Sequence, residues 1–379
     1  MERFSVALVS DWYAPRVGGI ERQMHGLARA LRERGHEAIV ITIHRGQADA
    51  DDVPVRRLNL PLAFNGEVAR LGTPLFRTLY RSLQQERVDV VHTHGMFSSM
   101  AHAAIACADA LGIPCVITHH SLISPHHRPF ARLVYAAMRQ RADVVSAVGV
   151  AAAVDASRVS GRNDVAVLPN GVELNGHLPR VSAPGPDGEI RVLSVMRLAP
   201  TKSPEGFVKS VPEVLARVPD PSHVFFTIVG DGPLRKKLER LAASLGVAGH
   251  VEFAGYRTPE EVWRLLCGAQ IFVSSGRKEA QPISLLEARA AGLPIVARAG
   301  GGVGEVMESG RHGFIARDRR EFVDAITRLV CDEDLRHAIG SETRAGLERF
   351  GWDAVVDRHL DVYRRAIAVR HGRNGGSGR

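Results

Sequence analysis

The 379-residue chain holds no run of about 18 or more apolar residues, the length a membrane-crossing helix needs. Its first residues, Met1-Glu2-Arg3-Phe4, lead straight into a strand-like pattern instead of a signal-peptide core, so a cytoplasmic protein is expected. Cysteine is scarce. The four, Cys107, Cys115, Cys267 and Cys331, are scattered through apolar stretches without metal-ligand spacing, which predicts buried free thiols and neither disulfides nor zinc. Two nucleotide signatures are also missing. Neither Gly18-Gly19 nor Gly230-Asp231-Gly232 completes a Gly-x-Gly-x-x-Gly fingerprint, and no Gly-x-x-x-x-Gly-Lys-Ser/Thr loop occurs, which disfavours NAD enzymes and P-loop nucleotidases.

What is present is an ordinary globular composition, 45% hydrophobic and 24% charged, enough for a full core. The length suits two domains of roughly 150 to 200 residues. The net charge of +8 is carried by arginine, which suits polyphosphate, anionic lipid or nucleic acid and reads equally as an arginine-rich proteome.

Apolar runs and helical patterns alternate. Strands are expected at Ser5 to Ser10, Ala38 to Ile43, Val88 to Val91, Cys115 to Thr118, Val144 to Val148 and Ala166 to Leu168. Between them lie helical patterns such as Ile20, Met24, Leu27 and Leu31, ended by Gly35, and Leu75, Leu79 and Leu83. Such alternation predicts βαβ units and a parallel sheet. It pauses at Glu173 to Gly188, which reads as a linker. It restarts with strands at Ile190 to Val195, Val224 to Val229, Val251 to Phe253, Ile271 to Val273, Pro294 to Ala297 and Gly313 to Ile315. A closing helix spans Trp352 to Val369, free to cross back onto the first half, and His371 to Arg379 reads as a disordered tail.

Ligands of such sheets gather at strand carboxyl ends, so the loops there are the candidates. Pro15-Arg16-Val17-Gly18-Gly19 precedes a helix, where glycine lets backbone approach a phosphate; a tight strand-to-helix turn explains it equally. Arg197-Leu198-Ala199-Pro200-Thr201-Lys202 sets two cations where a leaving diphosphate needs neutralising, with surface ion pairs as the alternative. Glu279-Ala280-Gln281-Pro282-Ile283-Ser284-Leu285-Leu286-Glu287 opens a helix, with Glu279 in the preceding loop and Glu287 near the second turn. Gly300-Gly301-Gly302-Val303-Gly304-Glu305 reads as a flexible loop opening another helix, with Glu305 in its first turn. His92, His94, His102, His126 and His127 are numerous enough to raise the question of a metal. None is expected, because they lack the short spacing of a ligand set; His94, at a strand end, is a candidate to line the cleft.

Together, Gly18-Gly19, Arg197 with Lys202, the Glu279 to Glu287 motif and Gly301-Gly302-x-x-Glu305 resemble the retaining glycosyltransferases of GT-B fold, family 4 type, over nearly the whole chain. Within that family, Ser10 to Thr42 and Val90 to Leu122 are most similar to the catalytic subunits of phosphatidylinositol N-acetylglucosaminyltransferases. The resemblance implies an α/β protein with two Rossmann-like domains facing a central cleft. Residues 1–178 would bind the acceptor, 188–350 the nucleotide sugar, and 351–370 would form the helix crossing back.

The resemblance also implies roles. Arg197 and Lys202 contact the donor phosphates, Glu287 the ribose hydroxyls and Glu279 the transferred sugar. Gln281, Pro282, Ile283 and Ser284 complete that pocket through their amides, and backbone at Tyr256 and Arg257 reads the base. His120, in Thr118-His119-His120-Ser121, is the active-site histidine, orienting the sugar near its 6-hydroxyl, while His119 faces solvent. The implied reaction is retaining transfer of GlcNAc from UDP-GlcNAc to a hydroxyl of a small-molecule or lipid acceptor, such as an aminocyclitol, an aminoglycoside or an inositol lipid. Neither cofactor, metal nor nucleic acid takes part, and membrane contact is at most peripheral. Asp11, Glu21 and Glu67 are acidic candidates for holding an aminocyclitol.

Two departures stand out: Lys202-Ser203 where relatives often carry Lys-Gly, and Gln281 where the phosphatidylinositol-type motif has phenylalanine, which bears on the donor sugar. Nonhydrolysing UDP-GlcNAc 2-epimerases share the twin-domain architecture and are the competing enzyme class, working by elimination and readdition without an acceptor. A binding-only protein is a third reading, although no expected cationic or acidic group is missing.

Overall fold

The computed structural model describes residues 2–16, 18–46, 52–59, 72–95, 97–138, 141–174 and 188–376. The chain divides into two compact units: Met1–Gly171 with Trp352–Arg379, and Val172–Gly351. Most of the stretch expected as a linker, 175–187, lies outside the described residues.

In the first unit the strands are β1 (Ser5–Ser10), β2 (Glu37–Thr42), β3 (Val55–Arg57), β4 (Val90–His94), β5 (Cys115–His119), β6 (Val144–Ala147) and β7 (Ala166–Val167). They form one parallel sheet in the order β3-β2-β1-β4-β5-β6-β7. The helices between them are α1 (Gly19–Glu33), α2 (Gly72–Glu86), α3 (Ser99–Leu111), α4 (Arg128–Met138) and α5 (Val150–Ser160). Strand side chains alternate between faces, and both faces are covered, so a central strand is apolar throughout. In β1, Val6 and Leu8 pack with Met24, Leu27 and Leu31 of α1, while Ala7 and Val9 pack with Leu79 and Leu83 of α2 and Ile105 of α3.

The second unit repeats the plan with β8 (Ile190–Val195), β9 (Val224–Val229), β10 (Val251–Gly255), β11 (Ile271–Ser274), β12 (Ile295–Arg298) and β13 (Gly313–Ala316), a parallel sheet in the order β10-β9-β8-β11-β12-β13. Its helices are α6 (Pro204–Leu215), α7 (Arg235–Ser244), α8 (Pro259–Cys267), α9 (Ile283–Ala290), α10 (Val303–Val306), α11 (Arg319–Cys331) and α12 (Glu333–Glu342). Val192 of β8 joins Phe207, Phe226 and Phe322 on one face, and its neighbour Leu193 joins Phe272, Leu285 and Leu286 on the other. In each sheet the chain first builds to one side of its opening strand and then crosses to the other, so the switch points lie between β1 and β4 and between β8 and β11. Ligands bind at the carboxyl ends of strands at such points.

The last helix, α13 (Trp352–Gly376), belongs to the first unit. Val356, Leu360, Tyr363 and Ala366 bury against the β1 and α1 side of its core. Trp352 fixes the beginning: a Cβ on Gly26 or Gly171 would fall 2.1 or 2.4 Å from its indole, so only glycine admits the ring. The far end is locked by charge. Fully buried Asp143 accepts from Arg370 Nε and Nη2 at 3.1 and 2.8 Å, from Arg373 Nη1 at 3.0 Å and from the Cys115 amide at 2.8 Å. The tail expected to be disordered from His371 therefore stays helical to Gly376, because Arg373 is held by this carboxylate.

β3 was not anticipated: Val55-Arg56-Arg57 is three residues long and mostly charged, too short for an apolar pattern. All four cysteines are free, but Cys331 is exposed at the end of α11, contrary to expectation, and Cys267 is half-buried. Among the described residues no helix is long and apolar enough to cross a membrane.

Candidate active site

Because the strands of the second sheet are parallel, the loops after β8, β9, β10, β11 and β12 emerge on one edge, and the expected donor-binding residues lie in them. Arg197 follows β8, exposed and in no ion pair among the described residues. Lys202 ends a single 3-10 turn, Pro200–Lys202, and its Nζ lies 2.5 Å from both Oε1 and Oε2 of Glu279. Ser275, just past β11, donates to the Lys202 carbonyl at 3.1 Å and ties this turn to the switch point. Of the two cations, one is already neutralised and the other is open.

Ser203, noted above as a departure from the resembled Lys-Gly pattern, has φ 51° and ψ 47°, a left-handed backbone that glycine accepts without strain. Gly230 and Gly232 answer a different need: a Cβ there would fall 2.1 Å from the Met196 carbonyl or 2.5 Å from the Leu198 carbonyl. They let the post-β9 loop lie against the Arg197 segment.

Glu279 rests on a floor of glycine. Cβ atoms on Gly300, Gly301 and Gly302 would fall 2.3, 2.0 and 1.9 Å from the carbonyls of Arg277, Glu279 and Ala280, and the Gly302 amide donates to the Glu279 carbonyl at 2.8 Å. Gly300 to Gly302, expected as part of a flexible loop, are thus a packing surface that holds the Glu279 segment in place.

α9 begins with Pro282 at the N-cap, φ −75° and ψ 109°, and no side chain among the described residues caps it. The Leu285 amide is taken by the Pro282 carbonyl at 3.1 Å. Proline has no N–H, so Pro282 cannot donate as expected of it, and the amides facing an anion are those of Ile283 and Ser284, both half-buried. Gln281 and Glu287 are buried, at 7% and 8% exposure. After β10, Tyr256 is half exposed and its carbonyl accepts from Arg257 Nη1 at 3.1 Å.

In the first unit the loop after β1 spends its acids internally. Asp11, 6% exposed, accepts through Oδ1 from the Met100 amide at 2.9 Å and from Ser99 Oγ at 3.2 Å, at the N-terminus of α3. Gly18 is the N-cap of α1 with φ −162°, extended backbone open to any residue; a Cβ there would fall 2.3 Å from Glu21 Oε2, the movable end of a side chain. Glu21 also lies 3.4 Å from Arg16 Nε. Its carboxylate therefore stands at the start of α1, where a bound anion would otherwise sit. Glu67 lies outside the described residues.

The histidines at the ends of β4 and β5 form one group with α13. His94 Nδ1 and His120 Nε2 are 2.9 Å apart, and the His92 and His94 ring centroids 4.4 Å apart. His119, expected to face solvent, is 3% exposed and pairs through Nδ1 with Tyr135 Oη at 3.1 Å; His94, expected to line a cleft, is 4% exposed behind His120. A chain of hydroxyls fixes His92. Ser146 Oγ donates to the Ile117 carbonyl at 3.1 Å, so it accepts from Thr118 Oγ1 at 2.6 Å. Thr118 must then accept from His92 Nε2–H at 2.7 Å, which leaves His92 Nδ1 to accept from the Tyr363 hydroxyl at 2.9 Å.

Burial, with no carboxylate bonded to them among the described residues, keeps these rings neutral. Burial, then His120, lowers His119 to about 3, and burial, then His359, lowers His120 to about 4. Burial lowers His359 to about 4 against the opposing Val355 carbonyl, and it pushes His92 and His94 well below the usual value. Among the described residues no group of three or more His, Cys, Asp or Glu side chains is disposed to hold a metal ion.

Residues 17–175 match the family Glycosyltransferase Family 4, and residues 180–346 match Glycosyl transferases group 1. The chain belongs to the GT-B glycosyltransferases, a family 4 domain followed by a group 1 domain, which decides for the transferase over the 2-epimerase. It is similar to a phosphatidylinositol N-acetylglucosaminyltransferase subunit of Arabidopsis thaliana, 28% identical over 96% of this chain and 83% of that one. The Homo sapiens protein of the same name is 28% identical over 80% of this chain and 63% of its own length. Among solved structures, Anabaena Alr3699/HepE in complex with UDP and glucose shares the fold, with TM-score 0.76, 20% identity, and coverage of 95% of this chain and 99% of that one.

Proposed function

We propose that the protein transfers GlcNAc from UDP-GlcNAc to an acceptor hydroxyl, with retention at the anomeric carbon and without a metal ion. The observation that carries this reading is the carboxyl edge of the second sheet. There Arg197, in no ion pair among the described residues, and the uncapped start of α9 offer two open positive features to a diphosphate. The names of the relatives support GlcNAc as the sugar, and the UDP held by Alr3699/HepE supports the nucleotide.

Arg197 neutralises the diphosphate and the Ile283 and Ser284 amides take its oxygens; Lys202 exchanges its pairing with Glu279 for the diphosphate as Glu279 with Gln281 takes the sugar, and Glu287 holds the ribose. Backbone at Tyr256 and Arg257 meets the base. The acceptor oxygen attacks the anomeric carbon from the face the diphosphate leaves. A new C–O bond forms as the sugar–phosphate bond breaks, the acceptor proton passes to a phosphate oxygen, and the cations balance the released charge. His120 orients the sugar. Among the described residues the two acidic candidates for a cationic aminocyclitol, Asp11 and Glu21, are engaged internally. That favours an inositol-type acceptor, in line with the relatives' names.

Thermal unfolding with UDP-, GDP- and dTDP-sugars, on wild type and Glu287→Ala, tests the reading. Stabilisation by UDP-sugars that the variant loses is expected. No stabilisation by any nucleotide sugar would refute it, and conversion of UDP-GlcNAc to its 2-epimer without acceptor would replace it with the epimerase.

A further inference from the structure

The contact between His94 and His120 links an open ring to a buried one. His120 is half-buried at the carboxyl end of β5, whereas His94 is 4% exposed, and its second nitrogen, Nε2, is buried with no hydrogen-bond partner among the described residues. The 2.9 Å contact between His94 Nδ1 and His120 Nε2 holds one proton, since two bare lone pairs would repel and two N–H groups would clash. Which ring owns it decides what His120 offers a ligand.

The surroundings make the choice. Among the described residues no carboxylate hydrogen-bonds to His92, His94, His119, His120 or His359, whose neighbours are one another, hydroxyls and a backbone carbonyl. An imidazolium on buried His94 would be an uncompensated buried charge, and partial burial together with the neighbouring His359 holds His120 below the usual value, so both rings are neutral at neutral pH. A neutral His94 carries its hydrogen on Nδ1 or on Nε2. On Nε2 it would be a buried N–H with no protein partner among the described residues, and orphaned buried donors are rarer than under-used acceptors. On Nδ1 it points at His120. The His94 ring cannot turn away from that partner freely, because it packs at a tilt, ring centroids 4.4 Å apart, against His92, whose own tautomer is set by the chain from Tyr363 to the Ile117 carbonyl.

We infer that His94 is a positioning residue: by donating Nδ1–H to Nε2 of His120 it holds His120 in the Nδ1–H form, so that His120 meets its substrate as a hydrogen-bond donor and never as a base. The inference rests on the proposed role of His120 at the sugar. A donor on the nitrogen nearer the ring's stem suits a sugar hydroxyl or a departing phosphate oxygen. It also leaves proton acceptance to the phosphate, as in the transfer proposed above.

Two measurements test this. In protein with nitrogen-15 histidine, NMR at neutral pH should show His120 with a protonated Nδ1 and a bare Nε2, in the presence and absence of UDP. A protonated Nε2, or an imidazolium, would overturn the inference whatever the activity. In kinetics, UDP release from UDP-GlcNAc should fall about 100-fold in His94→Leu, in kcat and not in the donor KM, with the thermal shift caused by UDP unchanged. His94→Asn places an amide nitrogen where Nδ1 stood and should recover most of that loss, which a merely space-filling role would not predict. Equal losses in Leu and Asn would overturn the brace, as would loss in His120→Ala with none in His94→Leu. Loss in neither His120→Ala nor His94→Leu would instead sink the role given to His120 itself.

Discussion

Lys202 Nζ stands 2.5 Å from both carboxylate oxygens of Glu279, a pairing across 77 residues of sequence that joins the turn after β8 to the loop after β11. Each partner holds the other in place. Glu279→Gln and Lys202→Met should each lower kcat/KM for UDP-GlcNAc by about 100-fold or more, the range seen when a group facing developing charge is removed. Residues that act as a unit are not additive, so the double variant should be no worse than the worse single one. Additive losses in steady-state kinetics would show two independent roles.

The glycine floor gives a second expectation. In Gly302→Ala the new methyl would meet the Ala280 carbonyl at 1.9 Å and push the Glu279 segment outward. Turnover of UDP-GlcNAc should drop about 100-fold, the scale of a displacement near 1 Å. Circular dichroism should still report a folded chain.

Ser203 predicts a gain. Its left-handed backbone costs a side-chain-bearing residue about 1–2 kcal/mol, of which glycine returns about 0.5–1 as chain entropy. Ser203→Gly should therefore raise unfolding free energy by up to about 1 kcal/mol, and Ser203→Val should lower it. Denaturant unfolding midpoints decide; a lower midpoint in the glycine variant would contradict the strain.

Acid should weaken the fold through its buried histidines. His119, lowered to about 3, and His120, His312 and His359, each lowered to about 4, bind fewer protons folded than unfolded below the ordinary value of 6.5. Their contribution to stability is whole above 6.5 and is lost as pH falls through the window from 6.5 to about 4. The unfolding midpoint should drop across that range, and His359→Phe should flatten part of the drop. A midpoint unchanged between pH 7 and 4.5 would contradict this.

The strands were legible because parallel sheets covered on both faces are written as short apolar runs, and Ser5–Ser10, Ile190–Val195 and Val224–Val229 fall where those runs do. So was the placement of Arg197, Lys202 and Glu279 in loops after strands and of Glu287 in the helix that follows. What escaped was whatever depends on a distant partner. Arg289 looks like a surface residue of α9 but is 1% exposed, donating to the carbonyls of Thr343, Val306 and Ala345. Asp143 gives no sign that it binds arginines 227 and 230 residues away. The glycines at 300–302 signal turn chemistry from sequence, and only the backbone pressed against them reveals their purpose.

Asp143 makes a stability prediction of its own. Removing it leaves Arg370, 4% exposed, without its buried carboxylate. Asp143→Ala should destabilise the first unit by about 3–5 kcal/mol, measured by denaturant unfolding.

The chain leaves the first unit after Gly171 and re-enters it at Trp352. At the near side of that excursion Gln23 clamps Gly171 through both backbone groups, at 2.9 and 2.6 Å, and at the far side the Val172 amide bonds to the Phe350 carbonyl at 2.9 Å. The second unit is thus an insertion whose ends are already stitched together, while the first is built from two separated pieces of chain. On the ribosome the order inverts: the half made first waits for the helix made last, and the half made second can close before it. Truncation from the carboxyl end is accordingly a lesion of the amino-terminal unit, which should unfold while residues 172–351 keep their own structure.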